Sequence, residues 1–231
     1  MNFDSVASIY RTLETMAFGH ALQRARVRWL GNLSDCRRAV VLGEGNGRFL
    51  VELLRSQPLL QVECIDASAR MLKTARRRVE QQLPDALPRV RFREGDIGNI
   101  EINLAGCDLI VTLFVLDCFN EEALRNVVPK LAAAAAPSAS WLYADFCLPG
   151  QGIRRLKAKL WLKAMYLFFR FAAGLRTQKL VDPTPFIHGH GFLLRDEALT
   201  RGGMVTSQLW VRGTEPASAL VSSAGFGVPP K

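Results

Sequence analysis

Ala39-Val40-Val41-Leu42-Gly43-Glu44-Gly45-Asn46-Gly47-Arg48 decides the fold. A short apolar run bounded by turn residues reads as a buried strand, and a helical pattern over Arg48–Ser56 starts directly behind the glycines. Glycines at such a junction let the chain turn sharply and let a ligand approach main-chain N–H groups at a helix start. The same unit repeats along the chain. Val62–Ile65 forms a second strand closing at Asp66, followed by a basic helix from Ser68 to Gln82, and Val90–Phe92 forms a third strand ending near Asp96. Leu109–Leu116, almost wholly apolar, reads as a central strand covered on both faces. Glu121–Ala135 reads as a helix and Trp141–Phe146 as a fifth strand. Strands alternating with helices predict a parallel, doubly wound α/β sheet.

Outside this alternation, residues 5–30 read as helical, with Gly19 as a break. After Pro149 comes a long basic amphipathic helix over Gly152–Leu175, then a turn-rich stretch from Asp182 to Gly191. Phe192–Arg195 and Met204–Val211 read as two further strands around Gly202-Gly203. The Ala, Ser, Gly and Pro-rich tail over 213–231 reads as flexible. The expected organisation is one domain over 1–212, with a helical lid at 1–30 and a basic cap at 150–181.

The composition narrows the class. Of 231 residues, 49% are apolar and 22% charged, which excludes a largely disordered chain. The net charge of +9 is local: between Gly150 and Val181 stand eight basic residues and no acidic one, leaving 22 against 21 elsewhere. Five scattered cysteines without a Cys-x-x-Cys pair argue against both a disulfide framework and a zinc site. The first residues lack the basic-then-apolar order of a secretion signal, and Lys163 and Arg170 interrupt the longest apolar stretch, so a cytoplasmic protein is expected.

Three features converge on a nucleoside. The glycine loop ends strand one. Asp66 closes strand two 19 residues after Gly47, where a carboxylate can accept from both ribose hydroxyls. Asp96 closes strand three, in reach of an adenine amino group. A nicotinamide fingerprint would space its glycines as Gly-x-Gly-x-x-Gly, whereas Gly43, Gly45 and Gly47 are spaced by two and Phe49 or Leu50 follows.

Together these stretches resemble class I S-adenosylmethionine-dependent methyltransferases. Val41–Gly47 is similar to their first motif, and Ile65-Asp66-Ala67-Ser68-Ala69-Arg70-Met71-Leu72 to their second-strand motif. Arg93–Ile97 resembles the adenine-contacting stretch, and Cys107–Phe114 the fourth-strand motif. Phe3–Tyr10 and Gly202–Val205 resemble, more loosely, the ubiquinone/menaquinone-biosynthesis type. The resemblance implies a Rossmann-like, mostly parallel seven-stranded sheet with a helical N-terminal lid and a helical insertion after strand five. It implies S-adenosyl-L-methionine as cofactor, held by Gly43, Glu44, Gly45, Asn46, Gly47, Asp66, Ala67, Met71, Asp96, Ile97 and Leu113. The first-motif acid is displaced, and Glu44 is in place to take the contact with the methionine amino group.

Methyl transfer from a sulfonium depends on holding a nucleophile in line, and a base helps when a hydroxyl must lose its proton. The candidates for the chemistry are Asp117 just past strand four, Asp145 near the end of strand five, and His20 in the lid; the alternative for Asp117 is a helix N-cap or turn carboxylate, and for Asp145 a structural hydrogen-bonding role. His188 and His190 are further candidates near neutral pH. Tyr10, Phe114 and Trp161 are candidates for the acceptor pocket. No histidines and cysteines take metal-ligand spacing.

On a helical wheel Arg155, Lys159, Lys163, Tyr166 and Arg170 share one stripe of the cap, with aromatic and aliphatic residues filling the remainder. This is either a solvated stripe on a core-packed helix or a cap that touches anionic membrane through 153–176. Nucleic acid is not an expected partner. The reading is methyl transfer to a small, lipophilic or aromatic acceptor, oxygen ahead of carbon. Two alternatives are a nucleotide-dependent oxidoreductase and a non-catalytic protein of this fold that binds cofactor or a partner.

Overall fold

The computed structural model describes residues 20–95, 105–147 and 181–213. The lid before His20, the basic cap at 151–180 and the tail after Gly213 lie outside the described residues, as do Tyr10, Asp96, Ile97 and Trp161.

Seven strands form one sheet in the order β3-β2-β1-β4-β5-β7-β6. They are β1 Arg38–Leu42, β2 Gln61–Asp66, β3 Val90–Glu94, β4 Cys107–Leu113, β5 Ala135–Phe146, β6 Phe192–Thr200 and β7 Val205–Arg212. The first five are parallel, and β7 runs antiparallel between β5 and β6. Stepping outward from β1 to β2 and β3 in one direction, and to β4 and β5 in the other, leaves a crevice beyond Leu42 where the chain reverses its winding.

The helices are α1 Ala21–Val27, α2 Arg48–Ser56, α3 Ala69–Gln82, α4 Glu121–Ala134 and α5 Thr184–Gly189. Phe49, Leu50, Leu53 and Leu54 of α2 and Leu72 and Val79 of α3 cover one face of the sheet. Leu124, Val127, Val128 and Leu131 of α4 and Ile187 of α5 cover the other. The central strands are therefore apolar on both sides: Val40, Val41, Leu109, Ile110 and Val111 are all inaccessible or nearly so. Ser68 caps α3 by accepting the Met71 N–H, and Asn120 caps α4 by accepting the Ala123 N–H.

Several boundaries differ from the sequence reading. The fourth strand stops at Leu113 rather than Leu116, because Phe114 takes φ 58° and turns the chain out of the sheet. The alanine run read as helix to Ala135 divides there, and β5 begins at once, with a register irregularity between its first pairing and Ser140. Pro137 lies in that irregular stretch, where no ladder N–H is required. The turn-rich stretch contains the short helix α5, and the sixth strand runs on to Thr200.

The three loop glycines all have positive φ but meet different surroundings. A Cβ on Gly43 would come within 2.5 Å of Val115, and one on Gly47 within 2.7 Å of the Ala75 backbone; one on Gly45 would meet nothing within 4 Å. Gly43→Ala is therefore expected to destabilise the protein by about 2–4 kcal/mol, combining left-handed backbone strain with overpacking. Gly45→Ala carries only the strain and should cost about 1–2 kcal/mol. Urea unfolding of both variants checks the ordering, and equal losses would contradict it.

Candidate cofactor and acceptor site

The chain leaves β1 with the Gly43 N–H donating to the Ile65 carbonyl at 2.8 Å, which ties the loop to the end of β2. Asp66, closing β2, then accepts from both sides. Its Oδ2 takes the Gly45 N–H at 3.0 Å, and its Oδ1 takes the Ser68 N–H at 2.9 Å. The Asp66 carbonyl also accepts the Gly95 N–H at 3.1 Å, so one residue links the ends of β1, β2 and β3. Asn46 is held on its carbonyl by Arg78 Nε of α3 at 2.8 Å.

A helix start ordinarily offers unpaired N–H groups that bind an anion. Here the loop consumes them. Glu44 Oε1 accepts the Leu50 N–H at 3.0 Å, its carboxylate also receives the Phe49 N–H, and Asn46 Oδ1 accepts the Arg48 N–H at 3.3 Å. The position at which a dinucleotide fold seats a pyrophosphate is filled by the protein's own carboxylate. What the crevice presents instead is the Asp66 carboxylate, an open approach over Gly45, and the carboxyl group of Glu44. That donor set fits a nucleoside without phosphates that carries positive charge.

Burial pushes Glu44 up from the ordinary carboxylate range to about 7, against the opposing effects of the Leu50 N–H and of Arg26; Asp66 adds to the rise.

On the far side of the crevice Leu113, the last residue of β4, is buried, and Phe114 follows with its N–H donating to the Ala144 carbonyl at 2.7 Å. The Phe114 and Phe146 rings lie 5.3 Å apart, so the ends of β4 and β5 present an aromatic pair beside the cofactor loop. Arg26, from α1, places its guanidinium 4.8 Å over the Phe114 ring. No motif singles out Arg26; it is one of several arginines in the N-terminal helical stretch, and only tertiary packing brings it here.

Asp117 and Asp145 come together. Asp145 Oδ2 accepts the Asp117 N–H and Oδ1 accepts the Phe146 N–H, both at 3.0 Å. Both side chains are buried, at 1% exposure for Asp145 and 6% for Asp117. Burial first, and the adjacent Asp117 second, raise the Asp145 pKa well above the usual carboxylate range. Two carboxyl groups this close favour a shared proton. Cys118 Sγ approaches Asp117 Oδ1 at 3.5 Å, and burial pushes the Cys118 thiol well up, so it is no thiolate near neutral pH.

The histidines are spread apart. His20 is exposed at the start of α1 and its carbonyl accepts the Arg24 N–H, on the helix that brings Arg26 to the site. His188 and His190 precede β6, whose start pairs with Arg212 and whose end pairs with Val205 beside Phe146. They therefore stand at the opposite edge of the sheet, roughly 25 Å from the crevice at 3.3 Å per strand residue, and are not site residues. Ala67 is exposed and Met71 partly buried, both at the start of α3 beside Asp66. Among the described residues no group of three metal-ligating side chains converges, and no helix is long and apolar enough to cross a membrane.

This sheet order, five parallel strands with an antiparallel β7 inserted between β5 and β6, is that of the Rossmann-like methyltransferase fold. Comparison with known proteins agrees. Residues 39–138 match the family model described as a methyltransferase domain. A segment of 58 residues is 46% identical to the ribosomal RNA large subunit methyltransferase G of Aeromonas salmonicida, a match covering 25% of this chain and 15% of that protein. An O-methyltransferase family protein from Burkholderia thailandensis superposes with a TM-score of 0.62 at 19% identity, over 90% of this chain and 61% of that one. A TehB-like SAM-dependent methyltransferase from Corynebacterium glutamicum gives 0.57 at 15% identity, over 89% of this chain and 95% of that one. At these identities the structural likeness is one of fold.

Two outcomes follow from the loop. Because the folded state holds the Glu44 proton more tightly than the unfolded chain does, this group's contribution to stability is full below about pH 4.5 and is lost as pH rises through about 7. Glu44→Gln should gain on the parent by on the order of 2 kcal/mol between about pH 5 and about pH 8 in urea unfolding; a constant gap would contradict this. Asp66→Ala should weaken S-adenosylmethionine binding by about 1–3 kcal/mol in calorimetric titration, and unchanged affinity would remove Asp66 from the site.

Proposed function

We propose that this protein transfers a methyl group from S-adenosylmethionine to an oxygen of a small, lipophilic or aromatic acceptor. The observation that carries the acceptor reading is the Phe114–Phe146 pair, presented at the ends of β4 and β5 beside the cofactor loop. An aromatic pair in an apolar neighbourhood suits an aromatic acceptor, which can pack against the part of Phe114 that Arg26 and Phe146 leave uncovered.

When bound, S-adenosylmethionine supplies an electrophilic methyl group on a sulfonium. The chain's share is placement. Asp66 holds the ribose hydroxyls, Glu44 faces the ammonium end, and the aromatic pair orients the acceptor. Aligning the reactants in this way is worth several kcal/mol, on the order of 7–11 at best. Within the acid pair the roles divide. Asp145, with both oxygens on backbone N–H groups, holds the turn after β4 in place, which leaves Asp117 as the candidate to accept a hydroxyl proton. The same pairing favours a second reading, a protein of this fold without turnover, because both carboxyl groups are engaged with each other and with backbone.

The test is incubation with methyl-labelled S-adenosylmethionine and a panel of phenols, catechols and quinols, read by mass spectrometry. Labelled methyl ethers are the expected product. Asp117→Asn should slow their formation by about 10²-fold while leaving S-adenosylhomocysteine affinity within about threefold. Tight cofactor binding with no product across the panel would move the assignment to the second reading.

A further inference from the structure

Arg26 acts on both halves of the site, through a ring contact on one side and through its charge on the other. Helix α1 is fastened to the sheet by the Ser207 hydroxyl of β7, which donates to the Ala25 carbonyl at 2.8 Å across 182 residues of chain. That bond places the next side chain. Its guanidinium lies 4.8 Å over Phe114, whose ring packs against Phe146 on another side and whose backbone holds the rarely populated φ of 58°. The guanidinium charge also lies near enough to Glu44 to oppose the rise of that carboxyl's pKa. Around that carboxylate stand the Phe49 and Leu50 N–H groups of α2, Asp66 at the end of β2, and Arg26 from α1; the Cys64 thiol of β2 lies close enough to feel Glu44 but is kept neutral by burial.

We propose that Arg26 is a positioning residue that keeps the acceptor side and the cofactor side of the site in register, its plane holding the Phe114 ring and its charge holding the Glu44 carboxylate. What the site holds rests on the methyltransferase reading; the Arg26 contacts do not. Arginine suits both duties because a planar guanidinium stacks on a ring and stays charged, whereas lysine keeps the charge and loses the plane.

The experiment compares wild type, Arg26→Lys and Arg26→Gln by urea unfolding of the ligand-free protein from about pH 5.5 to about pH 8, and by titration with S-adenosylhomocysteine. Removing the cation raises the Glu44 pKa further, so Arg26→Gln should lose stability with rising pH more steeply than wild type, while Arg26→Lys should keep the wild-type slope. The steepening should vanish when Glu44→Gln is added. Arg26→Gln should bind S-adenosylhomocysteine roughly tenfold more weakly than wild type, as loss of about one charge-assisted contact implies. Parallel stability curves for Arg26→Gln and wild type would overturn the proposal, since a purely structural role moves stability equally at every pH. If wild type itself fails to bind S-adenosylhomocysteine, the methyltransferase reading falls, and the ligand-free curves still decide the role of Arg26.

Discussion

The Asp66 carboxylate is the joint on which the site turns. Its two oxygens take one N–H from the loop after β1 and one from the start of α3, while its carbonyl takes an N–H from the end of β3. Hydrogen bonds to an ionised acceptor are among the stronger ones available to a protein. The loop after β1, the start of α3 and the end of β3 are thereby fixed around one residue at the edge of a parallel sheet, the first two by its carboxylate and the third by its carbonyl. The glycines make this possible by geometry: Gly43 lets Val115 close over the loop, Gly47 lets α2 sit on Ala75, and Gly45 alone is left open to a ligand.

Glu44 then sets the charge character of the loop. A glycine loop running into a helix is common to many nucleotide folds, and the unpaired N–H groups of the helix normally make it a phosphate site. Filling those groups with Glu44 and Asn46 turns an anion site into a negatively charged one. Arg26 and the amide groups keep this charge tolerable, yet burial still holds Glu44 near the point of protonation at neutral pH. A cationic ligand beside Glu44 would favour its ionised form, and an anionic one would oppose it.

Much of the framework was legible because its signals are local. Strand, glycine loop and helix are contiguous, and the distance from the loop to Asp66 is one helix-and-strand unit. The ends of elements were less legible: nothing in the apolar run Leu109–Leu116 announces that Phe114 turns out of the sheet, since that turn depends on the Ala144 carbonyl and the Phe146 ring from another strand. The acid pair was found as two separate candidates, and only the parallel pairing of β4 with β5 brings Asp117 onto Asp145. His188 and His190 looked equal to His20 as bases until the direction of β6 put them at the wrong edge. Arg26 had no local signal, because its neighbours Phe114 and Glu44 lie far along the chain.

The loop is expected to accept an adenosyl sulfonium and to refuse a pyrophosphate. Isothermal titration of one preparation with S-adenosylhomocysteine, S-adenosylmethionine and the nicotinamide dinucleotides tests it most directly. Binding of the adenosyl compounds at micromolar concentrations, with no heat from the dinucleotides, is the predicted result. Dinucleotide binding that matches or exceeds that of the adenosyl compounds would contradict the account, since it would require the Glu44 carboxylate to vacate the start of α2.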